Sequence, residues 1–156
     1  MSKPFDATTK DLIRNHPKDW LDFLGLPARS VTVSETDLST ISADADKILI
    51  VDADPPYAAN LEIQSNYKLD DAERFMFYSV LAGRQTGLHV RTVVFLLRPA
   101  ADGPCMRTEL QHGFPEEPPY LQFRFRVVRL WEQSAAAFLS GGIGLLPFVP
   151  LCNISQ

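Results

Sequence analysis

A chain of 156 residues is long enough for one domain with a buried core, and 46% hydrophobic and 22% charged residues suit an ordinary globular protein. No apolar run approaches the roughly eighteen residues of a membrane span, which argues against a membrane protein. The net charge of −4 argues against a generally basic surface, leaves room for a local cluster of cations, and suits a site that gathers a divalent ion.

The start, Met1-Ser2-Lys3-Pro4-Phe5-Asp6, lacks the apolar stretch of a signal peptide, so a cytoplasmic location is expected. Cys105 and Cys152 are single and far apart, as expected of reduced, buried or incidental thiols. The first expected helix runs from Ala7 to Asn15, with Asp6 as N-cap and His16-Pro17 as its stop. A second, Lys18 to Leu24, offers Trp20, Leu21, Phe23 and Leu24 to a core. Val31 to Val33 is a candidate first strand. Lys47 to Val51 is a denser apolar run, as in a strand covered on both faces. Asp52-Ala53-Asp54-Pro55-Pro56 signals a turn, and Tyr57 to Gln64 reads as the returning strand of a hairpin.

Asp70 to Gln85 is the clearest helix, with acids in its first turns, Phe75, Val80 and Leu81 near helical spacing, and Gly87 beyond its end. Val90 to Leu97 follows as a buried strand. Met106 to Gln111 is a short strand, Pro115 to Pro119 a loop, and Tyr120 to Leu130 a strand that alternates strongly. Ser134 to Leu139 reads as a short helix. Gly141-Gly142-Ile143-Gly144 lacks the context of a phosphate loop and reads as a turn, while Leu145 to Leu151 is free to pack on another domain or subunit. The coarse order α, β, β, β, α, β with an added C-terminal hairpin describes a single mixed α/β domain over residues 1–156.

Chemistry concentrates in two segments, Ala45-Asp46-Lys47 and Leu61-Glu62-Ile63-Gln64. Along a strand, Asn60, Glu62 and Gln64 share one face, and Leu61 and Ile63 the other. Polar residues opposite a buried face ordinarily meet solvent. A hairpin changes that expectation, because it brings Asp46 back beside Glu62 when the paired residue numbers sum to an even number, as an odd-length loop dictates. Carboxylates on adjacent strands lie roughly 5 Å apart at Cβ and repel unless a cation joins them. Mg²⁺ takes a few carboxylate oxygens and leaves room for a phosphate. Arg74 and Tyr78, four apart on one helix face, can support such a site. Asp6 and Lys10 have the same spacing and read first as a helical ion pair. Arg84, Arg91, Arg98, Arg124, Arg126 and Arg129 make the C-terminal half locally basic, and Arg124 and Arg126 on one strand face would suit either a phosphate track or a solvated face. His16, His89 and His112 lack ligand spacing, and Ser34, Ser39 and Ser42 lack triad context.

An Asp, a turn, then an acidic-x-(Lys or Gln) triplet ending the next strand resembles the PD-(D/E)XK nuclease superfamily. More closely, the chain resembles its Rpn family of recombination-promoting nucleases and transposases. The matching pieces are Phe5-Asp6 with Lys10-Asp11, Ala45-Asp46-Lys47, Leu61-Glu62-Ile63-Gln64, Arg74 with Tyr78, and Arg126-Val127-Val128-Arg129-Leu130-Trp131-Glu132. The resemblance implies a restriction-endonuclease-like core with a central mixed sheet flanked by helices, and Mg²⁺-dependent DNA cleavage, with Mn²⁺ as a substitute, in a recombination or mobile-element context. By position, Asp46 and Glu62 would ligate the metal with the Ile63 carbonyl, Gln64 would take the place of the catalytic lysine, and Lys10 would supply a cation. Arg74, Tyr78, Arg124 and Arg126 would contact DNA, and a homodimer is one arrangement open to the protein. The chain departs from the motif at Ala45, where the superfamily has Pro, and at Gln64, which can orient a water but cannot act as a general base. The alternative is a catalytically silent nuclease fold that binds DNA or protein.

Overall fold

The computed structural model describes residues 3–34 and 47–153, with side chains from residue 8 onward. Two helices, α1 (Lys3–Asn15) and α2 (Pro17–Phe23), lead into three strands, β1 (Ser30–Val33), β2 (Lys47–Asp52) and β3 (Tyr57–Gln64). Helix α3 (Asp71–Thr86) and strand β4 (His89–Leu96) follow, then β5 (Glu109–His112), β6 (Leu121–Arg124), β7 (Arg126–Arg129) and α4 (Ala135–Ser140). The main sheet has the order β1-β2-β3-β4-β7, antiparallel from β1 to β3 and parallel from β3 to β7. It is the expected central mixed sheet flanked by helices.

Apolar character on both faces of the sheet demands two covering layers. On one face, Leu49, Val51, Leu61, Ile63, Val93 and Phe95 meet Ile13 of α1, Trp20 and Leu21 of α2, and Phe138 of α4. On the other, α3 lays Ala72 and Phe75 on Val94 and Leu96, and Ala82 on Ile48 and Ala58. The small sheet β5–β6 joins this second layer through Leu110 and Phe123.

The α3 helix starts after Asp70, carries Asp71 and Glu73 in its first turn and Arg84 in its last, and so complements its own dipole at both ends. Gly87 closes it at φ 69°, a left-handed conformation that costs glycine nothing. Val80 is 63% exposed, not core as its spacing suggests. The buried stripe is instead Ala72, Phe75, Tyr78 and Ala82, where the alanines let the helix sit close to the strands.

Two further expectations change at the C-terminal end. Tyr120 to Leu130 is not one strand: it leaves β6 at Phe125 and enters the main sheet as β7. Phe125 is buried against Phe75, with ring centroids 5.8 Å apart, and its N–H donates to the Thr108 carbonyl. A period-two reading misses the switch because alternation continues through it. Leu145 to Leu151 packs on the protein's own core as part of a 3-10 helix, Ile143–Leu151, with Leu145 and Phe148 buried. Gly142 opens that segment at φ 105°, where a Cβ would collide with the Asp19 carboxylate, and Asp19 accepts from the Gly144 N–H at 3.0 Å.

Candidate functional site

The β2–β3 turn fixes what the hairpin can present. Val51 pairs with Tyr57, leaving five residues, 52–56, in the loop, and Lys47 pairs with Leu61 at the last described rung. Each pair sums to 108 (51 + 57, 47 + 61), the even register that the sequence reading required. Asp46 itself lies outside the described residues, as do Ser39 and Ser42.

On β3, Asn60, Glu62 and Gln64 do not face solvent. All are buried, Asn60 and Glu62 at 0% exposure, because α3 lies over them. Helix and strand are tied at two places, Ala82 on Ala58 and the Arg74 charge beside Glu62. Tyr78 is one turn from each of these α3 residues and is buried with them. Thr92 of β4 pairs with Asn60 across the parallel ladder and is buried too. The amide of Asn60 and the hydroxyl of Thr92 have no hydrogen-bond partner among the described residues. A buried polar strip therefore runs along the centre of the sheet.

Sequence reasoning missed Asp71, reading it only as a helix-dipole acid. Its side chain is fully buried and forms an ion pair with the Arg74 guanidinium, and its other oxygen accepts from the Lys68 N–H at 2.8 Å. The available signal was an acid three residues before Arg74 on the face that Tyr78 also shares. Arg74 spans the rings of Phe75 and Tyr78, its guanidinium carbon 5.3 and 5.9 Å from their centroids. Burial works to lower the Arg74 pKa, but the hydrogen bond and charge of Asp71, with the charge of Glu62, outweigh it and hold the guanidinium above its usual value. The cation is thus paired with a buried acid, as buried charges require.

Other expected site residues are dispersed. Ile63 sends its side chain to the opposite face, into the core beneath α1 and α2. Lys10 is half-buried on α1, a helix that contributes Ile13 to that same opposite layer. Arg124 and Arg126 do not share a strand face, because they fall in different sheets. Arg124 lies 3.6 Å from Glu109, while Arg126 donates to the Leu24 carbonyl at 2.7 Å. Tyr78 is too buried to offer its ring to a backbone phosphate. Arg98, just past the end of β4, donates to the Ser65 carbonyl and to Asn66 Oδ1 at the exit of β3, both at 2.7 Å.

Among the described residues no group of three His, Cys, Asp or Glu is gathered as a metal site, and no helix is long and apolar enough to cross a membrane. Cys105 and Cys152 are free thiols. The chain matches no family model, no curated protein and no solved structure in the three comparisons.

Proposed function

We propose that this protein is a metal-dependent DNA endonuclease whose site is built on Glu62 and Gln64 of β3 and on Asp46. The observation that supports it is a wholly buried glutamate in mid-sheet, flanked on its strand face by buried Asn60 and Gln64 and covered by the helix that carries Arg74. A protein that needed only a core would place Val or Leu there, since isolated buried charge is costly. The even register of the hairpin adds support, because one further step of the same ladder would set Asp46 across from Glu62.

The donors fit a hard cation. Asp46, Glu62 and the Ile63 carbonyl would supply the oxygens that Mg²⁺ or Mn²⁺ prefers. Such an ion, when bound, polarises a phosphoryl group and acidifies a coordinated water. Gln64, at the end of β3, would orient the attacking water through its amide while carrying no proton away. The test is nicking of supercoiled plasmid with Mg²⁺. Asp46→Ala and Glu62→Ala are each expected to lower the rate by at least about 100-fold, the scale on which losing a positioned catalytic group is felt. Undiminished nicking in both variants would overturn the assignment.

A second reading is a catalytically silent nuclease fold that binds DNA or protein. It draws support from Gln64, a neutral residue where the superfamily carries lysine, and from Arg74, which is committed to an ion pair with buried Asp71. It predicts salt-sensitive DNA association without cleavage.

A further inference from the structure

We propose that the tip of the β5–β6 hairpin is a docking site for an arginine-bearing segment of a partner protein, taken by stacking on exposed rings set among glutamates. The inference is independent of whether the chain cleaves DNA. Residues 113–120 join β5 to β6, and His112 pairs with Leu121 at the last rung of the ladder. Phe114 and Tyr120 stand on this loop at 65% and 69% exposure. Their ring centroids are nonetheless 5.8 Å apart, and Tyr120 lies 6.5 Å from the His112 ring. Rings at such spacing hold one another in place.

The loop is braced from within and from below. Pro115, Pro118 and Pro119 restrict its backbone. The Glu117 N–H donates to the Phe114 carbonyl at 3.2 Å and closes a turn. Gly113 lies so close to Pro119 that a Cβ there would come within 3.0 Å of the proline Cα. Leu110 and Phe123 root the hairpin in the same core as Phe75 of α3, and His112 Nε2 lies 3.9 Å from Glu73 Oε1. A surface held this way loses little freedom when a ligand lands on it.

Charge selects the ligand. Between His112 and Tyr120 the sequence carries Glu116 and Glu117 and no lysine or arginine, and both glutamates are exposed. Glu73 adds a carboxylate beside His112, its side chain 47% exposed. The hairpin's own arginine, Arg124, stands at the opposite end, 3.6 Å from Glu109. Exposed ring faces attract cations, and carboxylates beside them strengthen that attraction while repelling phosphate. Arginine answers both, because its flat guanidinium stacks on a ring and offers its edge donors to carboxylates. A nucleic-acid strand would find rings to stack on, but ringed by charge of its own sign.

Fluorescence anisotropy with the full chain tests this. The probes are a dye-labelled peptide of alternating arginine and glycine, its lysine counterpart, and labelled oligo-dT. The parent is expected to bind the arginine peptide, and more tightly than the lysine one. Phe114→Leu with Tyr120→Leu keeps the apolar bulk but removes both ring faces, and should weaken that binding about tenfold. Glu116→Gln with Glu117→Gln should weaken it about fivefold. Asp22→Asn with Asp52→Asn removes the same charge from exposed positions elsewhere and should leave it nearly unchanged. All six positions are exposed, so each variant should keep the parent's melting point. The site is overturned if the parent does not bind the arginine peptide, if the leucine pair still binds it as the parent does, or if the control pair loses as much as the glutamine pair. Oligo-dT binding that the leucine pair abolishes would make the tip a nucleic-acid contact and overturn it as well.

Discussion

Asn60 and Thr92 face each other across two parallel strands with their polar atoms unmatched among the described residues. A buried donor or acceptor without a partner costs about 1–3 kcal/mol, whereas an apolar group of the same shape does not. The double change Asn60→Leu with Thr92→Val is therefore expected to raise the unfolding free energy by about 1 kcal/mol or more. Urea unfolding followed by circular dichroism measures it, and a loss of stability would show that these groups are satisfied. Gains of that kind in a polar strip tend to come at the expense of function. The same paired change should then impair plasmid nicking while hardening the fold. At this scale the sequence was partly legible. Glu62 and Gln64 stood out by type and spacing, but Asp71 did not, because an acid in a first helical turn has a sufficient local explanation. Only the packing of α3 on β3 turns it inward.

Among the elements, β3 and α3 were readable almost to the residue, since one is bounded by a proline turn and the other by a left-handed glycine. The stripe α3 buries was not, because Phe77 and Val80 are as apolar as Phe75 and only the strand beneath decides which side is covered. The break at Phe125 was likewise hidden, as both halves keep the same alternation. Beside its ladder with β4, the returning strand is tied by an ion pair. Arg129 on β7 donates to both oxygens of Asp102, at 2.7 and 3.1 Å, fastening the loop after β4. The hydrogen bond from Arg129, outweighing burial, holds the Asp102 carboxyl below the usual carboxylate range. A depressed carboxyl contributes stability above its unfolded pKa and loses it as pH falls through the folded value. Arg129→Met should thus destabilise the protein by less than about 1 kcal/mol at pH 7, the pair being about one-third exposed. Melting curves of parent and variant should draw together as pH falls below about 4 and meet once it has passed the depressed folded value, where the carboxyl is protonated in both folded and unfolded chains. A gap that persisted there would mean Arg129 acts through packing instead.

Across the whole molecule, the early helices and the late segment close over the same sheet face. Trp20 of α2 meets Phe95 of β4 and Phe148 of the 143–151 segment edge-to-face, with centroids 5.1 and 5.2 Å apart. A run read as spare apolar surface thus completes the core, which sequence could not tell because two prolines mask any helical period. Phe148→Ala should cost about 3–5 kcal/mol, as the cavity left by a buried aromatic ring does. For a chain of this size that lowers the melting point by roughly 6–20 °C. A shift of only a degree or two would show the segment to be dispensable.

The five-residue turn between β2 and β3 carries an evolutionary constraint of its own. Each residue gained or lost there rotates one strand half a pleat against the other, exchanging what points up with what points down. Related proteins that keep this polar strip should therefore differ at that corner by two residues or none, an arithmetic rule that any aligned set of descendants can be made to obey or break.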